Sequence, residues 1–240
     1  MRQGQYESAR NAFRERGNLP EARALIAITW LAEGNFEKAI EVLAEPAAKQ
    51  YLASFQPIET GLETLDVEPG STALLPRGLI TTQRPEFVFV AGPAGELKVE
   101  QTSLDGTPIA ARRRPLQVAE PPLTGAVTSL AYPTNWALLE AGVHVWTAPG
   151  GEPNSASVTV MSRKQRQEIQ RHTWQRLSHD IPLSARMFLR GHYYLRSGLY
   201  MQAGNQFRDL VRVFPDEPYP LAMLERISAA LGVDPEAFLR

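Results

Sequence analysis

The chain has 240 residues, 43% of them hydrophobic and 21% charged, with a net charge of −1 and no cysteine. That length suits one large domain or two to three small ones with real cores, and the missing cysteine excludes a disulfide framework, a zinc knuckle and a thiol nucleophile. The near-neutral total hides a gradient, since residues 1–53 balance at 0, residues 54–162 sum to −5 and residues 163–240 to +4. A basic end and an acidic middle either attract each other, within the molecule or across a dimer, or are unrelated solvated faces.

Residues 1–53 read as helices. Gly4, Tyr6, Ala9 and Phe13 have a spacing that recurs as Gly34, Phe36, Ala39 and Leu43. The start, MRQGQYESARNAFRER, is polar and helical, unlike a signal peptide. Pro20 opens a helix at its first position, where a missing N–H costs nothing. Ala24, Ile26, Ala27, Trp30 and Leu31 form its apolar stripe.

Residues 54–162 lose the helical period. Short β-rich runs appear instead at spacings of roughly 8–12 residues, which is an all-β signature. The expected strands are Ser71–Leu75, Glu86–Ala91, Glu96–Ser103, Pro108–Arg113, Ala126–Ala131, Val143–Ala148 and Ser155–Met161. Asp105-Gly106 marks a hairpin between the third and fourth. In the sixth, alternation sets Val143, Val145 and Thr147 against His144 and Trp146, with His144 facing outward. A further strand at Gly61–Val67 would let the β region be inserted between helices; without it, the β region is a spacer between two helical pieces.

Residues 163–240 are helical again. Arg163–Ser178 is a polar helix, and Ser184 is an N-cap candidate for the next. Ser184–Pro215 then reads as two amphipathic helices joined at Ser197-Gly198, with Gly191 and Tyr194 on the first and Ala203 and Phe207 on the second. Small residues at those points let two helices approach, and aromatics fill the space above them. Leu221–Leu231 forms another helix that stops at Gly232, and Asp234 caps a short last one.

The small residue, the aromatic three on, the turn glycine, Ala203-x3-Phe207 and the closing Pro215 resemble a tetratricopeptide repeat. The N-terminal period of 30 residues between Gly4 and Gly34 is four short of that repeat. The first unit shows only its second helix, so the expectation is a start lying upstream. The alternative is that this helix packs on another molecule. Seven strands in about 90 residues resemble an immunoglobulin or fibronectin type III sandwich. Arg84–Phe89 looks like the Pro-led second strand of bacterial members. Leu139–Gly142 looks like their entry to the sixth strand, although Ala141 and Val145 replace the usual Pro and Tyr. The fold class expected is therefore α+β and multidomain: TPR-like hairpins in 1–53 and 163–240 around an antiparallel β-sandwich in 54–162.

Chemical motifs are sparse. There is no G-x-S-x-G, H-E-x-x-H or Ser-x-x-Lys. His172 and His179 lie seven apart and lack the spacing of helical metal pairs. Arg163, Lys164, Arg166, Arg171 and Arg176 spread around their helix instead of lining a phosphate-binding stripe. The expectation is no catalytic residue, no metal, no cofactor and no nucleic-acid partner. No apolar run approaches the roughly 20 residues of a membrane span.

What remains is peptide or protein binding. In the resembled repeat the first helix of each unit lines a groove, which here implies Phe188, His192, Leu195 and Arg196, with Ile28 and Leu31 from the earlier unit. A partner with an apolar segment and an acidic group would suit that surface. Phe188 and His192 stand where carboxylate-clamping repeats carry Lys and Asn, so such a clamp is not expected. The competing expectation is that the protein fills the groove itself. A second function, carbohydrate or small-ligand binding by the sandwich, predicts exposed aromatics clustered on one face, such as Tyr132, Trp136 and Trp146. Bacterial proteins resembling this combination commonly act in the cell envelope, which favours a periplasmic or extracytoplasmic location and leaves a homo-oligomer open.

Overall fold

A computed structural model describes residues 3–17, 19–51, 71–92, 94–103, 107–109, 114–118, 126–149, 154–175 and 181–239, with side chains at all of these but 3–4, 49–51, 114 and 172–175. Helices α1 (Gln3–Glu15), α2 (Pro20–Ala32), α3 (Phe36–Ala44) and α4 (Pro46–Tyr51) come first. Strands follow as β1 (Ala73–Leu75), β2 (Gly78–Ile80), β3 (Phe87–Val90), β4 (Gly95–Thr102), β5 (Arg114–Val118), β6 (Val127–Leu130), β7 (Gly142–Thr147) and β8 (Ser155–Val160). The chain closes with α5 (Arg163–Gln175), α6 (Leu183–Arg196), α7 (Tyr200–Val213), α8 (Pro218–Leu231) and α9 (Glu236–Leu239). The protein is mixed α+β. It divides into two compact units, one of Met1–Leu62, Gln170–Ser197 and Gln202–Ile227, the other of Glu63–Ile169, Gly198–Met201 and Ser228–Arg240.

In the first unit α2 is the central element. It packs against α1, α3, α4 and also α6, which lies on the far side of the strands in sequence. Ala22, Ala24, Ile26, Ala27, Ile28 and Leu31 are all buried, so little beyond Glu21 and Leu25 faces solvent. The helix ends in a paired turn: Gly34 N–H donates to Leu31 O at 3.3 Å and Asn35 N–H to Trp30 O at 3.0 Å, around Gly34 at φ 82°. These bonds occupy carbonyls that the helix end leaves over. Asn35 then caps α3 by accepting from Lys38 N–H at 3.1 Å. Arg10 of α1 closes the corner, with its guanidinium 3.6 Å from the Trp30 ring centre and 2.6 Å from Glu33 Oε2.

Helix α4 is an addition to the expected set. Helix α6 starts at Leu183, with Pro182 as its N-cap, so Ser184 lies inside the first turn and is not the cap. The anticipated close approach is present at Gly191, where a Cβ would lie 2.8 Å from the Phe207 ring of α7.

In the second unit the strands form two sheets, ordered β1-β3-β6 and β2-β8-β7-β4-β5. All pairings are antiparallel except β2 with β8, which is parallel, so a wholly antiparallel arrangement is not found. Strand β2 had no counterpart among the expected strands. The run from Ala73 to Ile80 is interrupted at Pro76, which has no N–H to give a ladder. Its first half joins β3 in one sheet and its second half β8 in the other. Arg77 is buried at this crossing and donates to Leu74 O at 2.8 Å and to Ala73 O.

Of the expected strand at Pro108–Arg113, residues 110–113 lie outside the described residues. Pro108 makes an isolated bridge to Thr102, and among the described residues Arg114–Val118 pairs with β4 on the side away from β7. Ser103 N–H donates to Thr107 O at 2.9 Å around the anticipated Asp105-Gly106 hairpin, which itself lies outside the described residues. Gly61–Val67 lies outside them too.

One hydrophobic cluster draws on both sheets, with Ala73, Phe87 and Phe89 from the first and Ile80, Leu97, Val99, Trp146, Ala156, Val158 and Val160 from the second. Strand β7 faces opposite to the expectation: Trp146 and His144 are buried, while Val143 and Val145 are half-buried. Trp146 fixes this choice. Its indole meets Phe87 at 5.3 Å between ring centres, and its N–H donates to Pro76 O at 2.9 Å.

Candidate functional site

The six residues expected to line a groove all lie in the helical unit. Five of them are buried: Phe188, His192 and Leu31 are fully enclosed, Leu195 is 3% exposed and Ile28 8% exposed. Arg196 alone is exposed.

The side chains that enclose them come from elements far apart in sequence. Phe36 of α3 stacks on Phe188 at 5.6 Å between ring centres and on Tyr219 of α8 at 6.2 Å, and meets Phe214 edge-on at 5.5 Å. His192 lies 4.6 Å from Phe188, 5.3 Å from Phe207 and 6.1 Å from Tyr219, again between ring centres. The result is one aromatic cluster spanning α3, α6, α7 and α8. Burying such rings stabilises the unit by about 2–3 kcal/mol each.

Polar chemistry in the cluster is confined to one contact. The Tyr219 hydroxyl and His192 Nε2 share a hydrogen bond of 3.0 Å, and Nδ1 is buried without a partner. Burial pushes the imidazole down to about 3, with the positive charges of Arg226 and Arg196 adding to the effect. Burial likewise pushes the Tyr219 phenol upward, against the pull of Arg226. His192 is therefore neutral at ordinary pH, and Tyr219 is a neutral phenol. Phe36, Phe214 and Tyr219 received no site role from the sequence. Phe36 sits two residues after Gly34, as Tyr200 does after Gly198, so the repeat spacing marked its position as packing; nothing local marked Tyr219.

The three aromatic residues expected on an exposed face of the strands pack inward instead. Tyr132 and Trp146 belong to the hydrophobic cluster of the second unit, and Trp136 packs against it, edge-on to Tyr132 at 5.6 Å. Tyr132 also donates to Ala137 O at 2.5 Å. His144, expected outside, is 3% exposed, with Nε2 at 2.9 Å from Glu140 O. The side chains of His172 and His179 lie outside the described residues. Among the described residues no three His, Asp or Glu side chains gather into a metal site, and no helix is long and apolar enough to cross a membrane.

No protein-family model matches the chain, and no curated protein sequence matches it either.

Proposed function

We propose that the protein is a non-catalytic interaction scaffold, built as helical hairpins of tetratricopeptide type interrupted by an immunoglobulin-type β-sandwich. The observation that carries this reading is the contact of α2 with α6, two helices separated by all eight described strands yet joined in one compact unit. Each is followed by a turn glycine at positive φ, Gly34 and Gly198; Gly191 packs on Phe207 of its own hairpin, and Gly34 packs on Phe214 at the end of the other. A helical stack resumed after a β insertion is an economical way to hold a module and leave helix faces for a partner. The sandwich reading is supported by strand order. The order β8-β7-β4-β5 follows the G-F-C-C′ sheet of variable-type domains, and β1-β3-β6 follows A-B-E.

Because packing consumes Phe188, His192, Leu195, Ile28 and Leu31, recognition falls to the exposed rim of the helical unit. Arg196 and Arg226 are exposed there, and both act on His192 from α6 and α8. Two such cations suit an acidic peptide segment. The resemblance to envelope proteins extends the proposal to an extracytoplasmic setting, which cell fractionation tests.

The binding test compares proteins captured from the native host by wild type, by Arg196→Glu/Arg226→Glu, and by Arg163→Glu/Lys164→Glu in α5. A partner lost only with the first variant, with its helical circular dichroism intact, supports the reading. Equal recovery by all three sinks it for the helical unit.

A further inference from the structure

His192 cannot hold a proton where it stands. A protonated imidazole needs two acceptors, and only Nε2 has a neighbour, the Tyr219 hydroxyl at 3.0 Å. Nδ1 is buried and without a partner. The side chain is fully enclosed, by Phe188 on α6, by Phe207 on α7 and by Tyr219 on α8, with Phe36 of α3 lying behind Phe188. The charges that act on it, Arg196 from its own helix and Arg226 from α8, are both positive. An added proton would thus be a buried, half-satisfied charge beside two like charges, and such groups stay neutral until the structure around them moves. The wall that a proton on the ring would act on first is the Tyr219 face of α8, because the Tyr219 hydroxyl is the hydrogen-bond partner of Nε2.

We propose that the joint between α6 and the first part of α8 is an acid-opened latch: His192 takes a proton only when Tyr219 and its helix turn away, so acidification releases Pro218–Ile227 and uncovers Phe188 and His192. The latch is independent of whether the unit serves as a scaffold, although the surface it uncovers contains two of the groove residues the sequence nominates. Its strength follows from linkage. In the open form the imidazole regains its ordinary value of 6.5, whereas closed it sits at about 3. Between pH 7 and pH 5 the opening equilibrium therefore rises about 25-fold.

The test is amide hydrogen exchange by nuclear magnetic resonance on the full chain at pH 7 and pH 5, corrected for intrinsic exchange. Protection at Pro218–Ile227 should fall about 25-fold, while His192→Leu, similar in volume and never charged, shows no such change. Unchanged protection in wild type, or the same fall in His192→Leu, overturns the proposal. Titration of the His192 ring nitrogens in wild type provides a readout that needs no variant. No titration of the closed form between pH 7 and pH 5 is expected, and a midpoint at the ordinary value would overturn the latch.

Discussion

Gly34→Ala examines the joint between the two ends of the chain. Two separable penalties are expected. The residue sits at φ 82°, where an L side chain costs roughly 1–2 kcal/mol. In addition the new Cβ would lie 2.6 Å from Cδ1 of Phe214 and 2.7 Å from Cε1. Phe214 is itself held edge-on against Phe36, so it cannot yield without disturbing the cluster, and overpacking of this kind costs about 1–3 kcal/mol. Gly198→Ala supplies the control, because Gly198 has φ 70° with nothing within 4 Å of its Cβ position. Urea denaturation followed by helical circular dichroism should show Gly34→Ala losing about 2–5 kcal/mol and Gly198→Ala about 1–2 kcal/mol. In a Phe214→Ala background the Gly34→Ala loss should shrink to the Gly198→Ala value, the signature of two coupled neighbours. Equal losses for the two glycines in wild type, or an undiminished Gly34→Ala loss without Phe214, would refute the reasoning.

Other substitutions separate further contacts. Gly191→Ala adds about 1 kcal/mol of helix propensity but places a methyl 2.8 Å from the fully buried Phe207, which costs about 1–3 kcal/mol, so a net loss of up to about 2 kcal/mol is expected in the same assay; a gain in stability would contradict the packing. Arg10→Lys keeps the charge but not the fork that reaches both Glu33 oxygens at 2.6 and 3.3 Å while lying over Trp30, so it should still lose about 1–2 kcal/mol, and a silent Lys variant would show that charge alone matters there. Trp146→Phe removes the N–H donated to Pro76 O and part of a fully buried side chain; a loss of about 2–4 kcal/mol is expected from thermal or urea midpoints, and a neutral outcome would place the indole outside the core.

The parts of the fold that were legible in the sequence rest on local contacts. Gly191 and Phe207 lie within one hairpin, and the spacing of small and aromatic residues is enough to place them together. The same holds for the turn glycines and for Asp234, whose Oδ1 accepts from Glu236 N–H at 2.8 Å. The strand positions were readable where the alternation was long, as in β4, and less so where it was brief. Gly78–Ile80 offers three residues after a proline, too few to show a period. In β7 both faces carry apolar side chains, so period two does not say which face is inside. The size of Trp146 and its need for a hydrogen-bond acceptor decide it. The candidate site was the least legible, because its enclosure is made by Phe36 and Tyr219, which approach Phe188 from opposite directions along the chain. Spacing within one helix carries no information about partners on other helices, whether Tyr219 on the next hairpin or Phe36 beyond the strands.

The central claim is that helices on either side of the strands form a single unit around Phe36. The most direct measurement is a set of nuclear Overhauser contacts from the Phe36 ring in full-length protein with selectively labelled aromatic residues. The account predicts cross-peaks from Phe36 to Phe188, to Phe214 and to Tyr219, whose ring centres lie at 5.6, 5.5 and 6.2 Å. A Phe36 ring with contacts only to residues of α1 through α4 would contradict it.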